Sequence, residues 1–226
     1  MSSTDRMRTI KSFVKRRGRI TRRQQHAIKN HLLNYQIPYQ AAEINFDLYF
    51  KRALPIIVEI GFGMGDSLIT LAQNQPDKNF IGLEVYDPGI GNIVGHIHSL
   101  QLDNLKIMQQ DAAEIFKYCF SNCSLNGVQI FFPDPWPKKR HHKRRLLNSA
   151  FATLMVEKLQ YNGFIHFATD VEEYAKIVLE IFYSIPLLTN SFDGFAPEAS
   201  RRPQTKFEIR GKKLNHAIWD IMFYKK

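Results

Sequence analysis

The sequence has few of the features that stabilise or target a small secreted protein. Only two of its 226 residues are cysteines, Cys119 and Cys123, too few for the disulfide framework of a secreted domain. No apolar run approaches the roughly 18 residues of a membrane-spanning helix, and no apolar core of about 7–15 residues follows the basic N-terminus. These absences predict a reduced, cytoplasmic protein without a signal peptide or a membrane span.

Two kinds of ligand site also lack support. His141 and His142 are adjacent, but no cysteine or acid stands at metal-ligand spacing near them, so we predict no metal site. No Gly-Lys-Ser/Thr follows the glycine-rich segment that begins at Gly61, which excludes a P-loop. What the chain does have is 44% hydrophobic residues and 17 phenylalanines, which indicate one folded domain with a sizeable core.

Acidic residues are scarce in three blocks of the sequence. Residues 1–29 hold ten bases and one acid, residues 138–145 hold six bases and no acid, and residues 201–213 hold six bases and one acid. Between them, residues 46–133 hold five bases and nine acids. Basic blocks around a neutral-to-acidic middle favour a polyanionic partner, and nucleic acid is the first candidate.

Short apolar runs alternate with helix-length segments from residue 54 onwards. Five alternations predict a doubly wound α/β domain with a parallel sheet, whose ligands bind at the carboxyl ends of the strands. Two further strands are predicted near the C-terminus, at 206–209 and 217–223, as an antiparallel ending. The predicted strands are 56–60, 80–85, 105–108, 128–132 and 164–168, and the predicted helices are 66–74, 90–100, 112–119, 146–159 and 171–184.

Glycines and acids follow the first three predicted strands. Gly61, Gly63 and Gly65 form a G-x-G-x-G turn, which differs from the G-x-G-x-x-G of pyrophosphate binders. Glu59, Glu84 and Asp111 stand at the ends of successive strands, with spacings of 25 and 27 residues that each fit one strand–helix unit. Three carboxylates suit a sulfonium amino acid nucleoside better than a pyrophosphate, although Asp111 also fits a helix N-cap.

The fourth strand ends in Pro133-Asp134-Pro135-Trp136-Pro137. Three prolines stiffen this loop, which presents a carboxylate and an indole next to the basic run 138–145. Such a pairing fits a base carried on a phosphate backbone, with the aromatic ring available for stacking.

These motifs resemble those of the bacterial tRNA (guanine-N7)-methyltransferases. The matching stretches include the glycine turn, the Pro-Asp-Pro-Trp block and the basic run after it, together with Ala168-Thr-Asp170 and Thr205-Lys-Phe-Glu-Ile-Arg-Gly211. The resemblance spans about residues 11–223, and the Pro-Asp-Pro-Trp and Thr-x-Phe-Glu-x-Arg-Gly blocks are its specific parts. It implies a class I, Rossmann-like methyltransferase fold with a seven-stranded, mostly parallel sheet and an antiparallel C-terminal strand.

The resemblance also implies a reaction and a set of residue roles. S-adenosylmethionine would be the donor, S-adenosylhomocysteine the product, and N7 of the variable-loop guanine of tRNA, at position 46, the acceptor. Asp134 would be catalytic. The cofactor would be held by Glu59, Gly61, Gly63, Gly65, Glu84, Asp111 and Asp134, the guanine nucleotide by Lys138, Asp170, Thr205, Lys206, Phe207 and Glu208, and the RNA by Arg140, His141, His142, Lys143, Arg144 and Arg145.

The predicted organisation is a basic, flexible RNA-binding arm over 1–40, with a short helix from Thr21, and one methyltransferase domain over 41–226. The tRNA is the expected partner, with no obligate protein partner and either a monomer or a homodimer. Three alternatives stay open: another RNA base methyltransferase, a non-catalytic RNA-binding protein with this fold, and a nicotinamide oxidoreductase, which the glycine spacing disfavours.

Overall fold

The structure, a computed structural model, describes residues 13, 18–190, 192–197, 202–205, 208–209, 211 and 217–226. Within these residues, seven strands form one sheet in the order β3-β2-β1-β4-β5-β7-β6. The strands are β1 (Ile56–Ile60), β2 (Asn79–Leu83), β3 (Leu105–Met108), β4 (Leu125–Phe131), β5 (Leu159–Thr169), β6 (Leu188–Asn190) and β7 (Trp219–Lys225). The helices are α1 (Arg22–Tyr35), α2 (Asp66–Asn74), α3 (Asp87–Leu100), α4 (Ala112–Tyr118), α5 (Ser149–Lys158) and α6 (Glu172–Tyr183).

The sheet is parallel except at one side. β1 pairs in parallel with β2 and β4, and the parallel pairing extends to β3 and β5. β7 lies antiparallel between β5 and β6. The strand order reverses between β1 and β4, so the carboxyl ends of these two strands border the crevice where a ligand is expected. This is the class I fold that the sequence predicted.

Helices cover both faces of the sheet. The residues of β1 and β2 are all buried, as expected for parallel strands enclosed between two helical layers. Val58, Ile81 and Ile130 belong to the apolar cluster under α4, α5 and α6, whereas Ile57 and Phe80 belong to the cluster under α1, α2 and α3. The alternation along each strand therefore divides the core into two layers and leaves the strand ends for function.

The helix predicted from Thr21 is present as α1. Thr21 and Gln24 form a reciprocal capping box, and the Gln24 Nε2 donates to the Pro88 carbonyl oxygen at 3.1 Å. Gly91 permits this contact, because a Cβ there would lie 2.7 Å from Gln24 Cβ. Residues 22–37, inside the predicted arm, thus pack against α3 and the β3 edge, where Ile37 N donates to the Ile107 carbonyl. The rest of the arm lies outside the described residues, apart from Phe13 and residues 18–21, and its RNA-binding role stays a prediction.

One predicted strand is wrong and one observed strand was not predicted. Glu208 and Ile209 have a helical backbone, and the Ile209 amide donates to the Thr205 carbonyl at 3.0 Å. The Thr205 hydroxyl accepts from the Glu208 amide at 3.1 Å, which caps a helical turn in place of a strand. The strand that pairs with the outer side of β7 is instead β6, and its three residues are too few to produce a periodic pattern in the sequence.

In the described part of the chain, no helix combines the length and the apolarity that crossing a membrane requires.

Candidate functional site

The glycine-rich turn leads from β1 into α2 with three left-handed residues. Gly61, Gly63 and Gly65 have φ angles of +74°, +58° and +84°. A Cβ at Gly61 or Gly63 would meet no atom of the described residues within 4 Å, whereas one at Gly65 would press on Ile93. The first two glycines therefore leave room for a ligand to approach the backbone, and Gly65 allows α2 to begin close against α3.

Glu84 follows β2 directly and holds the glycine turn. Its Oε2 accepts from the Gly63 amide at 2.8 Å, and its Oε1 accepts from the amides of Val85 at 2.7 Å and Tyr86 at 3.1 Å. Burial raises the pKa of Glu84 above its usual value, although these three donors lower it. One carboxylate thus fixes the loops after β1 and β2 relative to each other.

Glu59 is a buried acid within β1, one residue before the end of the strand. It is 3% exposed, and its Oε2 has no hydrogen-bond partner among the residues that the structure describes. Burial raises the pKa of Glu59 to about 8, with the charge of Arg202 lowering it and that of Glu84 raising it. A buried carboxyl oxygen without a partner is costly, so Glu59 is suited to a ligand that brings a donor or a cation.

Asp111 begins α4 and also lies beside the cleft. Its Oδ1 accepts from the Ala113 amide at 3.0 Å, so the N-cap role that the sequence left open is present. Its neighbours Gln110 and Ala112 line the cavity next to Glu84. The cap therefore fixes the start of the loop after β3 beside the cleft.

Two adjoining cavities occupy the crevice at the carboxyl ends of β1, β2 and β4. The larger has a volume of about 220 Å³ and is lined by Glu84, Asp134 and the residues around Gln110. The smaller, of about 120 Å³, contains Glu59, the glycine turn and Thr205. Gly61 and Phe132 line both, so the two form one cleft that runs from the buried Glu59 to the exposed Asp134.

The loop after β4, residues 132–137, is held in an unusual conformation and is called the proline loop below. Phe132 and Trp136 have left-handed φ angles of +51° and +46°, which non-glycine residues adopt at a cost of about 1–3 kcal/mol. The Phe132 amide donates to the Ala168 carbonyl of β5 at 2.8 Å. Between the two strained residues Asp134 is exposed and lines the larger cavity.

The basic run after the proline loop begins as a short 3₁₀ helix, Lys139–Arg144. Lys138, Arg140 and Lys143 are exposed, which suits the predicted contacts with nucleotide and RNA. The Arg144 guanidinium lies over the Trp136 ring at 5.1 Å, and His141 packs edge-on against the same ring at 5.8 Å. His142 is half-buried.

Arg145 does not fit its predicted role as an RNA contact. It is 4% exposed, and its Nε donates to the Pro135 carbonyl in the proline loop at 2.8 Å. Its guanidinium also forms an ion pair with Glu173 at 3.4 Å and stacks over Tyr174 at 4.7 Å. The prediction is corrected, because a buried guanidinium that already has a carbonyl and a carboxylate as partners does not present its charge to a phosphate.

The predicted substrate residues are only partly placed together. Thr205 lines the smaller cavity, and Asp170 is exposed directly after β5. Glu208 is 1% exposed and is bound by Arg202 Nη1, so its carboxylate is buried and paired. Lys206 and Phe207 lie outside the described residues.

Sequence reasoning missed a buried polar network that includes Glu208. Arg202 donates to both oxygens of Asp220 in β7, at 2.8 and 3.0 Å, and to Glu208. Asp220 Oδ1 also lies 2.7 Å from His166 Nε2 in β5. The sequence signal that could have indicated this network is a polar residue inside each of two otherwise apolar strands, His166 in β5 and Asp220 in β7. Burial raises the pKa of Asp220, but its bonds to His166 and Arg202 lower it more, so the acid stays ionised.

A ligand with an amino group, such as S-adenosylmethionine, fits the buried end of the cleft. Glu59 offers an unsatisfied buried carboxyl oxygen for an amino group, and the open left-handed glycines leave room beside it. Among the described residues no group of three His, Cys, Asp or Glu side chains is close enough to hold a metal ion.

Comparisons with known proteins agree with the fold and identify the family. Residues 53–221 match the family model described as "Putative methyltransferase". The tRNA (guanine-N(7)-)-methyltransferase of Methylobacillus flagellatus is 48% identical over 220 residues, covering 97% of this chain and 92% of the relative.

Two solved structures share the fold at low identity. The 16S rRNA methyltransferase KamB has a TM-score of 0.58 at 10% identity, covering 80% of this chain and 92% of its own. SMU.1697c of Streptococcus mutans, solved in complex with SAH, has a TM-score of 0.52 at 10% identity and covers 80% and 93%. The identity to the M. flagellatus enzyme over nearly the whole of both chains shows the family: the chain belongs to the tRNA (guanine-N(7)-)-methyltransferases.

Proposed function

We propose that the protein transfers a methyl group from S-adenosylmethionine to N7 of the variable-loop guanine of tRNA. The observation that carries the proposal is the cleft formed by two adjoining cavities, one lined by the buried Glu59 and the glycine turn and the other by the exposed Asp134. The carboxyl group of Glu59 lies at the buried end of the cleft. Asp134, with the basic run 138–145 after it in the sequence, lies at the exposed end. That order fits a donor bound inside and a base presented from solvent.

The proposed cofactor contacts follow from the acceptors along the cleft. Glu59 would hold the amino group, Glu84 the ribose hydroxyls, and Asp111 with its neighbours the adenine. When bound, S-adenosylmethionine supplies an electrophilic methyl group on a sulfonium sulfur. Gly61 and Gly63 would let the ligand lie against the backbone, where a side chain would occupy its space.

The proposed role of Asp134 is to orient guanine. Guanine N7 already carries a lone pair, so no base has to remove a proton before it attacks, and catalysis rests on positioning and electrostatics. Asp134 would accept from the N1–H and the exocyclic amine, and its charge would stabilise the positive ring that methylation produces. Glu208 is the second predicted acceptor for these donors, and Trp136 or Phe207 would stack on the extruded base, which is worth about 1–3 kcal/mol.

We expect the exposed bases of the 138–145 run to act as phosphate contacts. The salt slope is the steepness with which the logarithm of the tRNA binding constant falls as the logarithm of the salt concentration rises, and each lost phosphate contact should lower it by about 0.7–0.9. The double variant Lys139→Gln/Lys143→Gln removes two such contacts and should therefore lower the slope by roughly 1.4–1.8. The measurement is the tRNA dissociation constant over a salt series. Lys226→Gln is the control, since the end of β7 lies at the opposite edge of the sheet from the cleft. Equal salt slopes for the double variant and the parent protein would show that Lys139 and Lys143 do not contact phosphates.

The raised pKa of Glu59 predicts a pH-dependent affinity for S-adenosylmethionine. With a pKa of about 8, Glu59 is mostly protonated in the free protein at neutral pH, and an ammonium ligand requires it ionised. Binding should therefore release a proton, and affinity should rise several-fold per unit between about pH 6 and pH 7.5. The same shift means that the free protein loses stability as the pH rises from 4.5 towards 8, because the unfolded chain releases the Glu59 proton in this range while the folded protein retains it.

Titration calorimetry in buffers of different ionisation enthalpy measures this proton release directly. Glu59→Gln should abolish the release, weaken binding and remove the fall in stability. A pH-independent affinity without proton release in the parent protein would contradict the role of Glu59.

The function is tested with unmodified tRNA transcripts and a donor labelled in its methyl group, followed by strand scission selective for N7-methylguanine. Scission at the variable-loop guanine, absent from a transcript that lacks this base, is the expected result. Label transfer without scission would indicate another RNA base methyltransferase. Tight tRNA binding without transfer would indicate a binding protein. A cytoplasmic location and a monomeric or homodimeric state remain predictions.

A further inference from the structure

We propose that Arg145 is a positioning residue for methyl transfer, which holds the proline loop so that Asp134 is aimed into the cleft. The inference rests on the proposed role of Asp134 and assigns to Arg145 a task other than RNA binding. It starts from three facts: Arg145 is buried, its Nε donates to the Pro135 carbonyl, and Pro135 directly follows Asp134.

The proline loop needs support from outside. Pro133, Pro135 and Pro137 have no amide hydrogen, so the loop has few donors with which to hold itself. Phe132 and Trp136 adopt left-handed backbone angles that persist only where the surroundings impose them. The bond from Arg145 meets the loop between these two strained residues, at a carbonyl next to Asp134, where it opposes relaxation of the backbone.

Arg145 is itself fixed by α6. Its guanidinium pairs with Glu173 at 3.4 Å and stacks over the buried Tyr174 ring at 4.7 Å. Tyr174 is anchored in turn, because its hydroxyl accepts from the Leu147 amide at 3.2 Å. A planar, multi-donor side chain can bond to a carbonyl, pair with a carboxylate and stack on a ring at the same time, which lysine cannot do.

His142 completes the surroundings of the guanidinium. Its Nε2 lies 3.1 Å from Arg145 Nη2 and 3.9 Å from the Glu173 carboxylate. Arg145 therefore connects the loop after β4, the end of the 3₁₀ helix and the first turn of α6. Because α6 begins directly after β5, the position of Asp134 is tied to the sheet through two strands, β4 and β5.

The consequence for catalysis is a change in turnover without a change in binding. A shift of about 1 Å in a reacting group can reduce the rate by about 100-fold. We expect Arg145→Lys to lower kcat by about 10–100-fold, while the dissociation constants for S-adenosylmethionine and tRNA stay within about three-fold of the parent values. A residue needed only for stability would leave the kcat of the folded fraction unchanged.

Two further variants separate positioning from RNA contact. Arg145→Gln should leave the salt slope of tRNA binding unchanged, whereas Arg144→Gln, its half-buried neighbour over the Trp136 ring, should lower it by about 0.7–0.9. Glu173→Gln removes an exposed acid, which by charge alone strengthens tRNA binding, yet it should lower kcat several-fold through Arg145. Stronger tRNA binding together with a lower kcat in Glu173→Gln would support the positioning role of Arg145 even if Arg145→Gln does not fold.

The deciding measurements are the steady-state kcat and the single-turnover rate of methylation at saturating donor and tRNA, with circular dichroism confirming the folded state. A kcat of the parent value in folded Arg145→Lys, or equal losses of salt slope in Arg145→Gln and Arg144→Gln, would overturn the inference. Asp134→Asn in the same assay keeps the two proposals apart. Full activity of that variant would remove the role of Asp134, whereas a loss in Asp134→Asn with none in Arg145→Lys would remove only the role of Arg145.

Discussion

Asp134→Asn should lower kcat by about 100–1,000-fold and leave the fold intact. Asp134 is exposed between two prolines, so exchanging its carboxylate for an amide of the same shape should change stability by no more than about 0.5 kcal/mol. The amide offers one acceptor and a donor in place of two acceptors, and it carries no charge. It therefore cannot accept both guanine donors or stabilise the developing positive ring, and preorganised electrostatic groups of this kind have effects of that size.

The measurement is single-turnover transfer of labelled methyl to the tRNA transcript, with saturating donor. S-adenosylmethionine affinity should change little, because Glu59, Glu84 and the glycine turn remain. Asp77→Asn is the matched control: Asp77 is exposed and precedes β2, at the opposite edge of the sheet from the cleft. Near-normal turnover in Asp134→Asn would show that the loop carboxylate is not used in the chemical step.

The sheet could be predicted from sequence because buried parallel strands leave a continuous apolar signal. β1 and β3 occupy the predicted residues, and α2 begins and ends as predicted. β2 ends at Leu83, one residue before Glu84, because the Glu84 carboxylate binds the following amides and turns the chain. The short β6 and the helical turn at Glu208 escaped prediction, since neither three residues nor a local hydroxyl cap produces periodicity.

The site could be predicted in part, for a different reason. Topology brings strand ends together, so Glu84 and Asp134 could be placed in one cleft from their spacing alone. Burial could not be predicted from a charge run: Arg145 looks like its neighbours in sequence, but only the structure shows it packed on Tyr174. The network of Arg202, Asp220 and His166 joins segments that are distant in sequence, and sequence spacing alone does not show that they meet.

Glu84→Gln should weaken S-adenosylmethionine binding by roughly 10–100-fold. The carboxylate accepts three backbone amides, from Gly63, Val85 and Tyr86, and is the proposed acceptor for the ribose hydroxyls. An amide group would turn a donor towards either Gly63 or Val85, so the glycine turn or the following loop would lose its partner. Hydrogen bonds to a charged group contribute about 1.5–3 kcal/mol each, which corresponds to this range of affinity.

The kinetic pattern of Glu84→Gln should be the reverse of that of Asp134→Asn. Saturating donor should restore most of the turnover, because Asp134 and the proline loop are unchanged, whereas no donor concentration rescues Asp134→Asn. Equilibrium dialysis with labelled donor gives the affinity, and the exposed Glu157→Gln in α5 controls for the loss of one acid. An unchanged dissociation constant would show that Glu84 only supports the loops. A loss of kcat that saturating donor does not restore would instead show that the glycine turn also positions the methyl group, so that binding and chemistry share the same wall of the cleft.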